Sequence, residues 1–166
     1  MKQSTVLKII KPNGFTVMEM MVVVGIIAIL AAIAIPSSLA RLIREQVAAA
    51  MPLADAAKEP IEISWKSAKT LPVDNAQSGL PAPEKVVSNY ISSLKVENGV
   101  IDITFGNKAY QTLHGKVLSF RPAVIEESQA VPISWVCGNA KPPAQMTVKG
   151  VNKTTVPQEY LPRLCK

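Results

Sequence analysis

Aromatic residues are scarce, at 5% of 166 positions, and the chain has one histidine and two cysteines. One His and two Cys cannot close the usual four-ligand zinc site without carboxylates. The chain also has no G-x-S-x-G elbow, phosphate-binding P-loop, His-Glu-x-x-His pair or EF-hand calcium loop. These absences exclude the commonest nucleophilic, nucleotide-binding and metal-hydrolase chemistries. They lead to the expectation of a protein with no catalytic residue, no metal and no cofactor. The most localised absence is of charge, since Met20 to Ile35 contains none.

Hydrophobic residues nonetheless make up 48% of the chain. With so few aromatics, this apolar content is concentrated in one segment and not spread through a large core. The length suits one modest domain. Formal net charge is +6, but Lys2, Lys8 and Lys11 supply half of it, leaving 15 basic against 12 acidic residues. The remainder is only mildly basic, which permits contact with DNA or acidic surfaces without demanding it.

Phe15 to Ile35 carries a single charge, Glu19. As a helix it would span about 31 Å at about 1.5 Å per residue, close to the roughly 30 Å hydrocarbon thickness of a bilayer. A buried core helix is the other reading, but the remaining chain is too polar to wrap it. An ordinary secretory signal places its cleavage site after the apolar run. Here Asn13-Gly14 precedes it, so a cut after Gly14 would leave the apolar helix on the mature protein. The lysines before it would hold the amino end in the cytoplasm. Glu19 then needs an explanation, because an acid at the edge of an apolar span is costly. It either snorkels to the interface or pairs with the amine freed on Phe15 of a neighbouring copy.

The run Gly14-Phe15-Thr16-Val17-Met18-Glu19, followed by the apolar helix and by Ala31-Ala32-Ile33-Ala34-Ile35-Pro36, resembles the type IV pilin signature. The resemblance covers Lys11 to about Arg41 closely and the rest more loosely. It implies a leader over residues 1–14 and a prepilin peptidase that cuts after Gly14 and N-methylates Phe15. It implies assembly roles for Glu19 and Pro36, and an apolar transmembrane and filament-core segment over 15–36. It further implies a homo-oligomeric helical filament, reached from a single-pass position in the bacterial inner membrane through an assembly platform and minor pilins.

Beyond Pro36 the head is expected at 37–166. Leu39, Leu42, Ile43 and Val47 recur at helical spacing, and the helix is expected to run, kinked at Pro36, to about residue 67. Pro52 and Pro60 allow a break instead. Trp65 is expected against the sheet. Thr70 to Glu84 reads as a loop. Four strands are expected between about 88 and 137: 90–96, 100–105, 116–121 and 131–136. Asn98-Gly99 forms a hairpin turn between the first two. The fold class is thus α+β, a long helix packed by its second half on a four-stranded antiparallel sheet. After Cys137 the pattern is lost in a polar tail. An extracytoplasmic location favours a Cys137–Cys165 bridge, which the resemblance identifies as the bound of a variable loop over 137–165.

The expected function is a structural pilus subunit for adhesion, twitching motility and DNA uptake. The alternatives are a DNA-binding minor pilin and a type II secretion pseudopilin. Lys141, Lys149, Lys153, Arg163 and Lys166 are the candidate DNA contacts, or simply a solvated surface; a host surface is the other candidate ligand. His114 reads as an exposed turn residue, and Glu126 with Glu127 as a solvated pair.

Overall fold

The computed structural model describes residues 14–128 and 130–166 and, at 35–37, the backbone only. Most of the expected leader, with Lys2, Lys8 and Lys11, lies outside the described residues, as does the side chain of Pro36. The chain divides into two units, one ending at Ser38 and the other Leu39–Lys166.

Helix α1 (Val17–Ala48) begins in the first unit. Every described side chain from Gly14 to Ala34 is exposed. Its most apolar 18 residues have mean hydropathy 2.7, and none of them is buried. Such an all-round apolar helix has no face to give to solvent.

In the second unit, α1 ends at Ala48 and α2 (Met51–Ala68) follows. The expected single kinked helix is therefore two helices. Pro52 has no N–H to give the carbonyl of Ala48, and Ala50 bonds back to Val47 instead, at 3.1 Å. Ala50 keeps helical angles, φ −74° and ψ −23°, so the interruption is local. Pro60 lies inside α2 without ending it. The carbonyl it fails to satisfy belongs to Ala56, on the exposed side, where water can substitute.

Ile43, Val47, Ala50, Ala54, Ala57, Ile61 and Trp65 form the buried stripe of these helices, at steps of three and four residues. Leu39 and Leu42, expected on that stripe, are exposed. The stripe meets one face of an antiparallel sheet: β1 (Ile91–Glu97), β2 (Val100–Phe105), β3 (Val117–Val124) and β4 (Ser134–Cys137), in that order. Strand alternation puts Leu94, Val96, Ile101, Ile103, Phe105, Leu118 and Phe120 in the shared core. The third strand runs three residues further than expected and the fourth begins three later. A fifth, β5 (Thr147–Val148), pairs with Ala123 and Val124 of β3, so the sheet has five strands.

The Asn98-Gly99 turn is as expected, with φ of 51° and 79°, the left-handed pair a tight hairpin needs. Its amides donate to Val73 and Pro72 at 3.1 and 2.8 Å, docking it on the linker. The linker also guards the sheet edge. Buried Asn75 donates to the Leu94 carbonyl at 2.9 Å and accepts from the Val96 amide at 2.6 Å. One side-chain amide thus substitutes for a neighbouring strand on β1.

Candidate functional site

The first candidate site is the start of α1. Thr16 precedes the helix and Glu19 is its third residue. Glu19 Oε2 accepts from the Thr16 amide at 2.8 Å and from the Thr16 hydroxyl at 2.7 Å. The Glu19 amide donates back to Thr16 Oγ1 at 3.2 Å. This reciprocal pair is a capping box. It holds the only acid of the apolar segment at the segment's amino-terminal end, which also suits the helix dipole. The Thr-x-x-Glu spacing was readable in the sequence and gives Thr16 a role that the reading of Glu19 alone missed.

Gly14 and Phe15 lie just before the helix, both exposed. A Cβ added at Gly14 would meet no described atom within 4 Å, and the same holds at Gly25 in the middle of the apolar run. Neither glycine is required by packing within the described chain. Through Pro36 the backbone of α1 remains helical.

The second candidate site is the carboxyl-terminal region, where the expected Cys137–Cys165 bridge is present and the tail, in which no pattern was expected, also pairs with the sheet. Cys137 and Cys165 are bonded, with Cα atoms 4.5 Å apart. Closing a loop of this size stabilises by roughly 3 to 4 kcal/mol on the chain-entropy model. Gly138 follows at φ +54°, where an added Cβ would lie 2.7 Å from the Cys165 carbonyl oxygen. Glycine is needed there both for backbone angle and for space. Val156, Leu161 and Cys165 return to the core, and Arg44 Nε donates to the Glu159 carbonyl at 2.9 Å.

Between those anchors the tail straps the sheet face away from the helices. The Lys149 amide donates to the Pro122 carbonyl at 2.8 Å and the Thr155 amide to that of Val117 at 2.9 Å. These acceptors lie on opposite sides of β3, so the chain crosses the strand between them. Ser119 is the crossing point. Its hydroxyl donates to buried Asp102 at 2.6 Å and accepts from the Lys153 amide at 3.0 Å. Lys153 Nζ reaches Glu97 at 2.9 Å and Asp102 at 3.5 Å. Lys95 adds a second cation 2.6 Å from Glu97. Hydrogen bonds from Lys95 and then Lys153 pull the Glu97 carboxyl down to about 2. The bond to Glu97 holds Lys153 above the ordinary lysine range.

The five candidate DNA contacts are therefore unlike one another. Lys153 is latched to two carboxylates, and Lys149 is ion-paired with Glu126. Glu126 and Glu127 are both exposed, as expected, and the Lys149 bond lowers the Glu126 carboxyl. Lys141, Arg163 and Lys166 are exposed and make no ion pair among the described residues. His114 is exposed, as expected, with Nε2 bonded to the Ala109 carbonyl at 2.8 Å. No group of three or more metal-ligating side chains occurs among the described residues.

Comparison with known proteins agrees with this division. Residues 44–166 match the family model for pilin, the bacterial filament protein. Residues 11–35 match the prokaryotic N-terminal methylation motif. The chain is 30% identical over 160 residues to the type IV major pilin protein PilE of Neisseria gonorrhoeae, covering 93% of each. It is 33% identical to the fimbrial protein EcpC of Eikenella corrodens, over 76% of this chain and 82% of that one. It is 31% identical to the type IV major fimbrial protein FimA of Dichelobacter nodosus, over 75% and 87%. An exposed apolar helix behind a methylation motif, and a disulfide-closed head matched along its length, lead to one conclusion: the chain belongs to the type IV pilin family and is a structural subunit of a pilus.

Proposed function

We propose that residues 1–14 form a leader cut off after Gly14, and that the new Phe15 amine is N-methylated. The mature subunit then waits as a single-pass protein of the bacterial inner membrane, with segment 15–36 in the bilayer, before entering an extracellular filament used for adhesion and twitching. One observation carries this reading: a helix apolar on every side, exposed from Val17 to Ala34, with a single acid held at its amino-terminal end. Lipid, and afterwards copies of the same helix, are surroundings in which such a surface is stable.

Gly14 supports the cleavage reading, because no described neighbour requires its lack of a side chain. The requirement then belongs to the peptidase that must admit it. Glu19 supports the assembly reading. Its carboxylate sits one turn from the amine the cut would create, and the amine of an adjacent subunit would neutralise it in the filament core. An unpaired buried charge there would cost several kcal/mol.

Mass spectrometry of sheared filaments tests the proposal. The mature chain is expected to begin at Phe15 and to weigh one CH2 more than its disulfide-bonded sequence, a methyl having replaced an amine hydrogen. A mature chain that begins after Ile35 would end it.

A further inference from the structure

The two ends of the head's sheet differ in charge. At one end, loop 106–116 joins β2 to β3 and holds Lys108 and Lys116 with no acid. At the other, loop 125–133 joins β3 to β4 and holds Glu126 and Glu127 with no base. The chain enters the head at the basic end, where the Tyr110 amide donates to Gln46 Oε1 of α1 at 2.7 Å. Leu39, the first residue of this unit, follows Pro36 by three positions, a reach of at most about 11 Å. The tail returns to the same end. There the Thr155 amide meets the Val117 carbonyl at the start of β3, and Arg44 meets Glu159. Arg163 and Lys166 follow Glu159 by four and seven positions.

The acids at this end are few and engaged. Segments 39–46, 106–116 and 155–166 contain Glu45 and Glu159 as their acids. Glu45 pairs with Arg41 at 3.0 Å, and Glu159 accepts a hydrogen bond from the Tyr160 hydroxyl. Lys108, Lys116, Arg163 and Lys166 make no ion pair among the described residues. Apolar and aromatic surface accompanies these cations, since Tyr110 is 39% exposed and Leu164 82%. Tyrosine beside basic residues suits the boundary between lipid and water. DNA would also attract the cations, but it offers no apolar layer to Leu164. A bilayer offers both, and the chain itself keeps this end close to the segment read as spanning one.

From this we infer that, while the subunit is anchored in the membrane, the basic end of its head rests on anionic phospholipid headgroups through loop 106–116. The inference rests on the membrane reading of segment 15–36. Each cation near such a surface shifts the docked fraction about fivefold, the equivalent of ~1 kcal/mol, and salt screens the attraction. The contact favours the membrane-held subunit over one leaving the bilayer.

The full-length chain, reconstituted into vesicles of phosphatidylcholine with or without phosphatidylglycerol, supplies the test. One fluorophore on Gln111→Cys reads loop 106–116, and one on Ala130→Cys reads the opposite loop. A nitroxide carried on the lipid headgroups quenches a label that lies near them. With phosphatidylglycerol, the ratio of quenched to unquenched label at 111 should rise at least about fivefold and fall again in high salt. The label at 130 should not respond. Lys108→Gln with Lys116→Gln should abolish the rise, and Lys108→Arg with Lys116→Arg should keep it, both with the Cys137–Cys165 bond formed and unchanged melting. If the glutamine pair melts early, the lipid and salt responses of the chain with both lysines decide alone. Equal quenching at 111 with and without phosphatidylglycerol, or a rise that a folded glutamine pair leaves intact, overturns the contact. So does a label at 111 that responds to duplex DNA and not to lipid. A chain that carbonate strips from both kinds of vesicle overturns the membrane reading and the contact with it.

Discussion

The apolar half of α1 and the head solve opposite problems with similar residues. From Val17 to Ala34 the side chains other than that of Glu19 are apolar, and all are exposed. In the head, Ile43, Val47, Ile61 and Leu118 are apolar and all buried. The head hides its apolar surface by bringing distant segments together: helices, sheet and disulfide-held tail. The apolar helix has no such covering among the described residues. Residue type alone therefore does not separate a core from an interface; what separates them is whether the chain supplies the other side.

The largest effect that would break this comparison is at Glu19. Glu19→Val removes both the capping box and the proposed partner of the neighbouring amine. Filament yield should fall roughly a hundredfold, as expected for losing about 3 kcal/mol per subunit contact, while head stability stays the same. Quantitative shearing and thermal melts of the purified subunit measure the two halves. Equal losses in both would mean that Glu19 serves the fold instead.

A matched pair sharpens the contrast. Ile61→Ala should destabilise the head by about 2 to 5 kcal/mol, the usual cost of a buried large-to-small change. Ile29→Ala should leave denaturant stability of the head within about 0.5 kcal/mol, as for a surface change. A similar loss at Ile29 would show that the chain does cover that helix internally.

The smallest effect concerns the strap. Glu97 has its carboxyl depressed to about 2 by Lys95 and Lys153. Its contribution is thus present above the unfolded value of about 4.3 and is lost as pH falls through about 2. Lys153 is raised, so its contribution holds below the unfolded value of about 10.4 and fades as pH rises through its folded value. NMR titration should place the Glu97 midpoint near 2 in the wild type and return it towards the ordinary range in Lys153→Met. An unshifted wild-type midpoint would mean the latch is open in solution.

Some of this was readable in the chain and some was not. The apolar helix, the Asn98-Gly99 turn and the first two strands follow from local pattern and turn chemistry. The Thr16–Glu19 cap was equally local, a four-residue spacing. Break and continuation at the two prolines could not be told apart locally, because both lack the same N–H; the difference is that Pro52 stands at the start of α2 and Pro60 within it. Strand β5, two residues long, has no periodicity to read. Asn75, Ser119 and Lys153 act on partners 17 to 56 positions away, and no spacing announces such pairs. Leu39 and Leu42 had the right period, but period says only that residues share a face, not which face the sheet will take.

By itself the sequence determined the long uncharged helix and the single acid at its start. An uncharged run of that length behind lysines and a glycine has few physical homes, and its meaning is local. Only the tertiary structure decided that the tail is a strap, that Lys149 and Lys153 are tied to acids, and that the helical stripe from Ile43 to Trp65 is the one the sheet covers. Those outcomes depend on which distant groups come within bonding distance, and chain closure sets that, not any residue's own preference.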